Sequence, residues 1–139
     1  MPNSIHIVGN VTKEPELRYM PNGSAMCSFG VADNRRWQNK QTKDWEEKVS
    51  FFDVTVWNEQ AENVAASCPK GARVVVVGRL EQRSWETDTG EKRYAISVVA
   101  DEVGPSLRWA EAAITKNERQ PGDESRGQST SYDGGPDFS

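Results

Sequence analysis

The stretch GARVVVVGRLEQRSW, residues 71–85, constrains the fold more than any other part of the chain. Its four consecutive valines, Val74 to Val77, form a β-branched run that predicts a strand, and we expect this strand to be covered on both faces. After Gly78 the residues alternate, and one parity consists of Arg79, Glu81, Arg83 and Trp85. We therefore predict one strand that starts in a core, bends at the glycine as at a barrel corner, and ends as an exposed arm.

The exposed half of this strand has an unusual composition, because it places an indole among guanidinium groups. Such a surface suits a flat, anionic ligand that can stack, and single-stranded nucleic acid is the commonest ligand of this kind. The alternative is that Trp85 covers a hydrophobic edge while the arginines stay solvated. This stretch alone leaves both interpretations open.

The length of the chain, 139 residues, fits one domain and a tail. We find neither an apolar run of 18 residues nor a basic start followed by apolar residues, and we therefore expect no membrane span, no signal peptide and a cytoplasmic protein. The net charge is −4, but residues 1–110 hold 14 basic and 15 acidic side chains, so that this part is nearly neutral. Any basic surface must be a local face that acidic residues balance elsewhere.

The sequence has no pattern that indicates catalysis or a cofactor. No nucleophile lies beside the single histidine, no glycine loop could cradle a phosphate, and the two cysteines are far apart without a C-x-x-C pair. Cys27 alternates with Phe29 and Val31, which predicts a small core residue, and His6 is predicted to be an ordinary strand residue. We expect a protein that is not an enzyme and that needs no cofactor and no metal.

Alternation of apolar and polar residues predicts three strands before this stretch. The first covers residues 4–10 and the second residues 25–32, and a folded connection joins them. The third covers residues 49–57, whose aliphatic residues form one face while Phe51 and Trp57 fall on the more polar face. We therefore expect these two rings to be aligned for stacking outside the core.

The segment between the second and third strands, residues 33–48, is polar, charged and rich in turn formers. It predicts a long hairpin, here called the finger, which bears Trp37 and Trp45 among basic residues. Tryptophans on a hydrophilic hairpin have little core to fill. Their presence therefore favours contact with a partner.

The remaining elements complete a recognisable order. Asn58 is placed to cap a short helix over residues 59–68, and residues 93–99 return beside the opening stretch as a fifth strand. One helix after three strands and before two more is the order expected of an OB-fold, a five-stranded Greek-key barrel that binds oligonucleotides. Residues 101–114 could add a strand or a short helix, whereas residues 115–139 have too few apolar side chains to order themselves.

Several ordered segments resemble the bacterial single-stranded DNA-binding protein family, and the stretch from Asp101 onward is most similar to its actinobacterial branch. The segments are VGN (8–10), EPELRYMPNG (14–23), VSFFDVTVWNEQAENVA (49–65), KGARVVVVGRL (70–80), RSWETDTGEKRY (83–94) and DEVGPSLRWA (101–110), with Trp37 after a polar run. The resemblance covers residues 1–114, which we predict to be an all-β OB-fold domain followed by a disordered tail over residues 115–139. It implies a homotetramer that wraps single-stranded DNA without reading its sequence, in DNA replication, recombination and repair.

The resemblance also implies the residues of the site and a place in the cell. The bases would stack on Trp37, Phe51, Trp57 and Trp85. The phosphates would contact Arg35, Arg36, Lys43, Lys48, Arg73, Arg79, Arg83 and Arg93. The segment after the barrel resembles the additional strand that clamps subunits together in the actinobacterial branch, and the protein would be cytoplasmic and associated with the nucleoid.

The C-terminus departs from the family pattern, in which members end in an acidic run followed by a terminal Pro-Phe. This chain ends SYDGGPDFS, and its candidate partner-binding residues are Asp133, Pro136, Asp137 and Phe138. Recruitment of replication and repair proteins through this tip is therefore open. The alternatives are a specialised paralogue or a phage-encoded member without recruitment, or an OB-fold subunit that binds RNA or protein.

Overall fold

The computed structural model describes residues 2–118, which contain six strands and one helix. The elements in chain order are β1 (Ile5–Val11), β2 (Glu16–Tyr19), β3 (Ala25–Gln38), β4 (Trp45–Trp57), α1 (Glu59–Ser67), β5 (Arg73–Glu86) and β6 (Lys92–Pro105). The helix is nine residues long, and none of the chain between residues 2 and 118 forms a helix that could cross a membrane.

The strands form one sheet that closes into a barrel. Their order is β1-β5-β6-β4-β3-β2, and an additional pairing of β1 with β3 closes the ring of five strands. All pairs are antiparallel except β4 with β6, which run parallel and meet at Val54–Val98 and Thr55–Val99. The prediction of an all-β OB-fold with one short helix is confirmed.

The core is built from alternate residues of the strands, because successive side chains of a strand point to opposite faces. Strand β3, for example, buries its odd-numbered residues from Ala25 to Val31. Cys27 is fully buried, as predicted, and Cys68 at the end of α1 joins it in the core; burial raises the pKa of both thiols. The side chains of even-numbered residues of β3 point to the outside of the barrel, which here is called the outer face.

The glycine in the middle of β5 lies where the predicted bend occurs. The β5–β6 register pairs Gly78 with Ala100 but Val77 with Glu102, so that Asp101 is one extra residue in β6. A Cβ atom on Gly78 would collide with the carbonyl oxygen of Val99, and only glycine allows the two backbones to approach so closely. The bulge also reverses which residues of β6 point outward, as bulges at barrel corners do.

The valine run differs from its prediction. Val74 and Val76 are buried, but Val75 is exposed and Val77 is half-buried, so the strand is not covered on both faces. A closed barrel has only one interior, and a wall strand can bury only every second residue there. Covering the other face would require something other than residues 2–118.

Two local features near α1 differ from their predictions. Asn58 precedes the helix, but its side chain makes no capping hydrogen bond, and its carbonyl oxygen instead accepts from the Ala61 N–H. The segment before β3 was expected to be only a connection, yet it contains β2, which pairs with β3. The Tyr19 hydroxyl of β2 donates to Glu62 of α1 at 2.8 Å, and this hydrogen bond is the main reason that the pKa of Tyr19 is raised.

The segment after the barrel is a continuation of β6 and then an irregular chain. Residues 101–105 extend β6 along β5, so the first part of the segment is strand but not the extra strand that was one of the two expectations. Residues 106–118 form neither a strand nor a helix, and Asn117 donates hydrogen bonds to Glu59 and Asn63 of α1. The clamp strand that the resemblance implies stays a prediction.

Candidate nucleic-acid interface

Two hairpins extend from the same end of the barrel. The finger, residues 33–48, is the paired continuation of β3 and β4. The second hairpin, residues 79–97 and here called the arm, is the paired continuation of β5 and β6. Because β4 and β6 run parallel and meet only at Val54–Val98 and Thr55–Val99, the parts of both strands that precede these pairs leave the barrel in the same direction.

The outer face of β4 carries three aromatic rings at equal intervals. Trp45, Phe51 and Trp57 are six residues apart, which is about 20 Å between neighbours along a strand. Phe51 is 72% exposed, Trp45 61% and Trp57 38%. Strand β4 therefore presents a row of stacking surfaces to solvent, from the barrel wall to the tip of the finger.

Trp85 belongs to the same outer face, although it lies on the arm. The β4–β6 pairing places Thr55 beside Val99, and the outward positions continue from Val99 down β6 to Arg93, directly opposite Trp85. The guanidinium of Arg83 lies over the Trp85 ring, 5.1 Å from its centroid. The predicted alternation after Gly78 is thus observed, and Phe51, Trp57 and Trp85 share one continuous surface.

Trp37 points the other way. On β3 it has the same parity as the buried Phe29 and Val31, so it lies on the side of the finger that continues the barrel interior, here called the inner face. The finger extends beyond the barrel at this point, and the ring is 41% exposed. The structure therefore separates Trp37 from the other three predicted stacking residues by the thickness of the finger.

The cations of the finger have no carboxylate partners within the described part of the chain. No ion pair there involves the side chains of Arg35, Arg36, Lys43 and Lys48. Arg35 and Lys48 are directly opposite each other across the two strands, and like charges in that arrangement destabilise a hairpin. The guanidinium of Arg36 lies 4.9 Å from the centroid of Trp45. These charges remain available to an external anion.

Two of the cations of the arm are paired with carboxylates. Arg79 is 2.9 Å from Glu81 and 3.7 Å from Asp101, and Arg93 is 2.8 Å from Glu91. Arg83 and Lys92 stand outside the ion pairs found between residues 2 and 118. The arm therefore offers an exposed ring with little uncompensated charge.

Comparison with known proteins identifies the family. The model of the single-strand binding protein family matches residues 2–106. The chain belongs to that family. It is 50% identical over 120 residues to the single-stranded DNA-binding protein of Mycobacterium tuberculosis H37Rv, covering 86% of this chain and 73% of that protein. The corresponding protein of Corynebacterium glutamicum is 50% identical over 117 residues, covering 84% of this chain and 52% of that protein.

Solved structures agree with this placement in the single-strand binding protein family. The small single-stranded DNA-binding protein of Streptomyces coelicolor superimposes with a TM-score of 0.64 at 30% identity, over 77% of this chain and 96% of that one. The Plasmodium falciparum SSB in complex with ssDNA has a TM-score of 0.67 at 22% identity, over 76% of this chain and 96% of that one, which supports the fold. The resemblance to the actinobacterial branch is confirmed, and the family is a DNA-binding family and not an enzyme family.

Among the predicted phosphate contacts, Arg35 and Lys48 lie on the inner face of the finger, and Arg73 lies on neither hairpin. Arg73 lies at the start of β5, twelve residues from Trp85, which corresponds to about 40 Å along the strand. Its guanidinium is 4.6 Å from the centroid of the Trp109 ring, and its Nε atom is buried without a hydrogen-bond partner among the residues that the structure describes. Trp109 thus occupies the position over Arg73 that a nucleotide would need.

Two further residues of the outer face were absent from the predicted set. Trp45 shares the parity of Phe51 and Trp57, so the alternation of β4 could have identified it once β4 was extended into the finger. Arg18 was hidden because β2 was not predicted; it lies opposite Met26, which in turn lies opposite Trp57. Arg18 is held by Glu16 at 2.7 Å.

The four predicted partner-binding residues of the C-terminal tip lie outside the described residues. They are Asp133, Pro136, Asp137 and Phe138.

Proposed function

We propose that this protein binds single-stranded DNA without reading its sequence, by stacking bases on the exposed rings and neutralising phosphates with the cations of the finger. The observation that supports this most directly is the shared outer face of Phe51, Trp57 and Trp85, beside finger cations that form no ion pair within residues 2–118. Stacking on an aromatic ring contributes about 1–3 kcal/mol per base and accepts every base, because every base has a π-face.

The family relatives support the same ligand, since the proteins from Mycobacterium tuberculosis and Corynebacterium glutamicum are named single-stranded DNA-binding proteins. The net charge of −4 does not oppose this proposal, because five cations lie together on the finger and form no ion pair with the described residues. The predicted stacking residues Trp37, Phe51, Trp57 and Trp85, and the phosphate contacts other than Arg73, fit this use of the surface.

We also propose that the protein assembles as a homotetramer. Strand β1 pairs with β3 only at Asn10 and Val11, so that one edge of Ile5–Gly9 has no partner strand among residues 2–118. An unpaired strand edge is a template for another chain. Beside it, the directly opposed Val8 and Val75 are both exposed on the outer face. Pairing and packing with further copies would cover the edge and the two valines.

Roles in DNA replication, recombination and repair, and a cytoplasmic position at the nucleoid, are part of the same proposal and follow from the ligand. Recruitment of other proteins through the C-terminal tip stays a prediction, because its residues lie outside the described part of the chain.

Titration of tryptophan fluorescence with oligo-dT and, in parallel, oligo-U tests the ligand. We expect strong quenching by oligo-dT that weakens as salt is added, because phosphate neutralisation releases counterions. Native mass spectrometry of the same samples should show four chains with and without DNA. Absence of quenching by either oligonucleotide would contradict DNA binding and redirect attention to protein partners, tighter binding of oligo-U would indicate an RNA ligand, and a single chain would contradict the tetramer.

A further inference from the structure

We propose that the finger stacks bases on both of its faces, with Trp45 as the platform on the outer face and Trp37 as the platform on the inner face. This inference rests on the proposed binding of single-stranded DNA and deepens it, because it adds a contact residue and requires the strand to pass both sides of the hairpin. Trp45 belongs to neither the predicted stacking residues nor the predicted phosphate contacts.

The register of the finger places the two rings on opposite faces. Gln38 is opposite Trp45, and the next pair towards the barrel is Trp37 with Glu46. Adjacent residues of a strand point to opposite sides, so the Trp45 pair and the Trp37 pair face apart. Both rings are largely exposed, and neither has a core to fill at this distance from the barrel.

Each ring has its own basic neighbours on its own face. On the outer face, the guanidinium of Arg36 lies 4.9 Å from the Trp45 centroid. On the inner face, Arg35 and Lys48 are directly opposite each other and two residues from the Trp37–Glu46 pair. A nucleotide needs a ring for its base and a cation for its phosphate, and each face of the finger supplies both.

The tip of the finger is rigid enough to keep the faces apart. The Asn39 side-chain oxygen accepts hydrogen bonds from the N–H groups of Gln41 and Thr42, at 2.8 and 3.0 Å, and the Asn39 N–H donates to the Asp44 carbonyl at 2.8 Å. Strand pairing continues without a shift to the last pair before the turn. Rings on opposite faces of a pleated ribbon are separated by roughly the 10 Å that divides packed sheets, and one base cannot stack on both.

The experiment compares Trp45→Ala, Trp37→Ala and the double variant with the unaltered full-length chain. Fluorescence anisotropy of labelled oligo-dT of about 16 nucleotides, the upper site size of one OB-fold, gives the dissociation constants. We expect each single variant to bind about 5-fold to 150-fold more weakly, which is the loss of one stacked base. The two losses should multiply within about twofold, as they do for independent sites.

Two controls accompany these variants. Trp109→Ala removes an exposed ring that lies away from the finger, beside Arg73, and should bind as the unaltered chain does. Trp45→Phe keeps a ring at the tip and should recover most of the affinity that Trp45→Ala loses. Thermal unfolding midpoints of all variants check that the barrel is intact, which we expect because both rings lie outside the core.

Unaltered affinity in Trp45→Ala would overturn the inference. A double variant no weaker than the weaker single variant would also overturn it, because the two rings would then act on the same base. If Trp57→Ala and Trp85→Ala bind more weakly while Trp45→Ala does not, only the two-sided finger fails. If all of these variants bind as tightly as the unaltered chain, the proposed mode of DNA binding itself fails.

Discussion

The finger and the arm look alike but differ in how their charges are compensated. Both are two-stranded extensions from one end of the barrel, and each places a guanidinium over an exposed indole, Arg36 over Trp45 at 4.9 Å and Arg83 over Trp85 at 5.1 Å. The described residues form no ion pair with the cations of the finger, whereas in the arm Arg79 and Arg93 are each bound to a carboxylate two residues away.

Because of this difference in charge compensation, we expect the two hairpins to contribute differently to DNA binding. An arginine already bound to a carboxylate must release it to bind a phosphate, and the local charge that it offers to the DNA is close to zero until then. The finger also carries carboxylates, but the described residues form no ion pair there. Glu46 instead accepts a hydrogen bond from Asn39, and Arg35 lies opposite Lys48. We infer that the finger supplies most of the electrostatic attraction, while the arm supplies mainly a ring.

Neutralising the predicted phosphate contacts of each hairpin should have the largest effect on binding and should distinguish the finger from the arm. The finger variant carries Gln at Arg35, Arg36, Lys43 and Lys48. The arm variant carries Gln at Arg79, Arg83 and Arg93. For single-stranded DNA, the logarithm of the binding constant falls linearly with the logarithm of the salt concentration, and each cation that neutralises a phosphate makes this slope steeper by about 0.7. The finger variant should therefore lose about 3 of this slope. The arm variant should lose about 1, because Arg83 is the one of its three replaced cations outside the ion pairs of the described residues.

The measurement is a salt titration of oligo-dT binding by fluorescence anisotropy for both variants and the unaltered chain. The loss in the finger variant corresponds to roughly 10²–10³ in binding constant between 1 M and 0.1 M salt. Equal losses of slope in the two variants would show that the ion pairs of the arm open freely for DNA. The two hairpins would then not differ in the electrostatic attraction that they offer to DNA.

Removal of a single ring should have an intermediate effect that does not depend on salt. Trp85→Ala on the arm and Trp57→Ala on the barrel wall should each weaken binding by about 1–3 kcal/mol, which is the value of one stacked base. Because no cation is removed, the salt slope should stay as it is in the unaltered chain. Anisotropy at several salt concentrations measures both quantities, and native mass spectrometry should show an unchanged number of subunits.

Trp109→Ala serves as the matched control for these variants, since it removes an exposed indole that lies at the other end of β5. Wild-type affinity in Trp57→Ala or in Trp85→Ala would show that the parity of the strands misidentifies the DNA-binding face. A large change of salt slope in Trp85→Ala would instead show that the ring holds Arg83 in place, and the arm would then contribute charge as well.

The outer-face aromatics could be predicted from the sequence because alternation along a strand fixes which side chains share a face. The parities of Phe51, Trp57 and Trp85 needed no tertiary information once their strands were recognised. The bend at Gly78 could also be predicted from the sequence, because a glycine where the residue pattern changes often marks a bend in a strand. The bonds of Arg79 to Glu81 and of Arg93 to Glu91 are compatible with the same rule, because residues two apart on a strand lie side by side.

Other features depend on contacts that the local sequence does not contain. Strand β2 has four residues, too few for a period to be seen, and it exists because it pairs with β3. Trp109 covers Arg73 across 36 positions of the chain, and nothing near either residue indicates the other. The sequence places Trp37 on an exposed hairpin without assigning it a face, because a face requires the register between β3 and β4.

The smallest expected effect concerns the like-charged pair in the finger. In Lys48→Glu, a carboxylate would lie directly opposite Arg35, and replacing a like-charge pair by an opposite-charge pair across two strands stabilises a hairpin by about 0.2–1 kcal/mol. The same change removes a cation and adds an anion at the proposed DNA surface. Stability should therefore rise slightly while affinity for oligo-dT falls, with urea unfolding measuring the first and anisotropy the second.

Lys43→Glu is the matched control, because Lys43 lies in the turn of the finger and has no residue opposite it in the strand register. It should lose a comparable amount of affinity without gaining stability. A gain in stability together with a loss of affinity in Lys48→Glu would mean that the finger keeps an unfavourable pair of like charges that a bound anion relieves. The arm has no such pair among its described residues, because its Arg79 and Arg93 are bound to carboxylates. A Lys48→Glu variant that is less stable than the Lys43→Glu variant would show that Arg35 and Lys48 do not repel each other in the free protein, and the finger would then be no more prepared for phosphate than the arm.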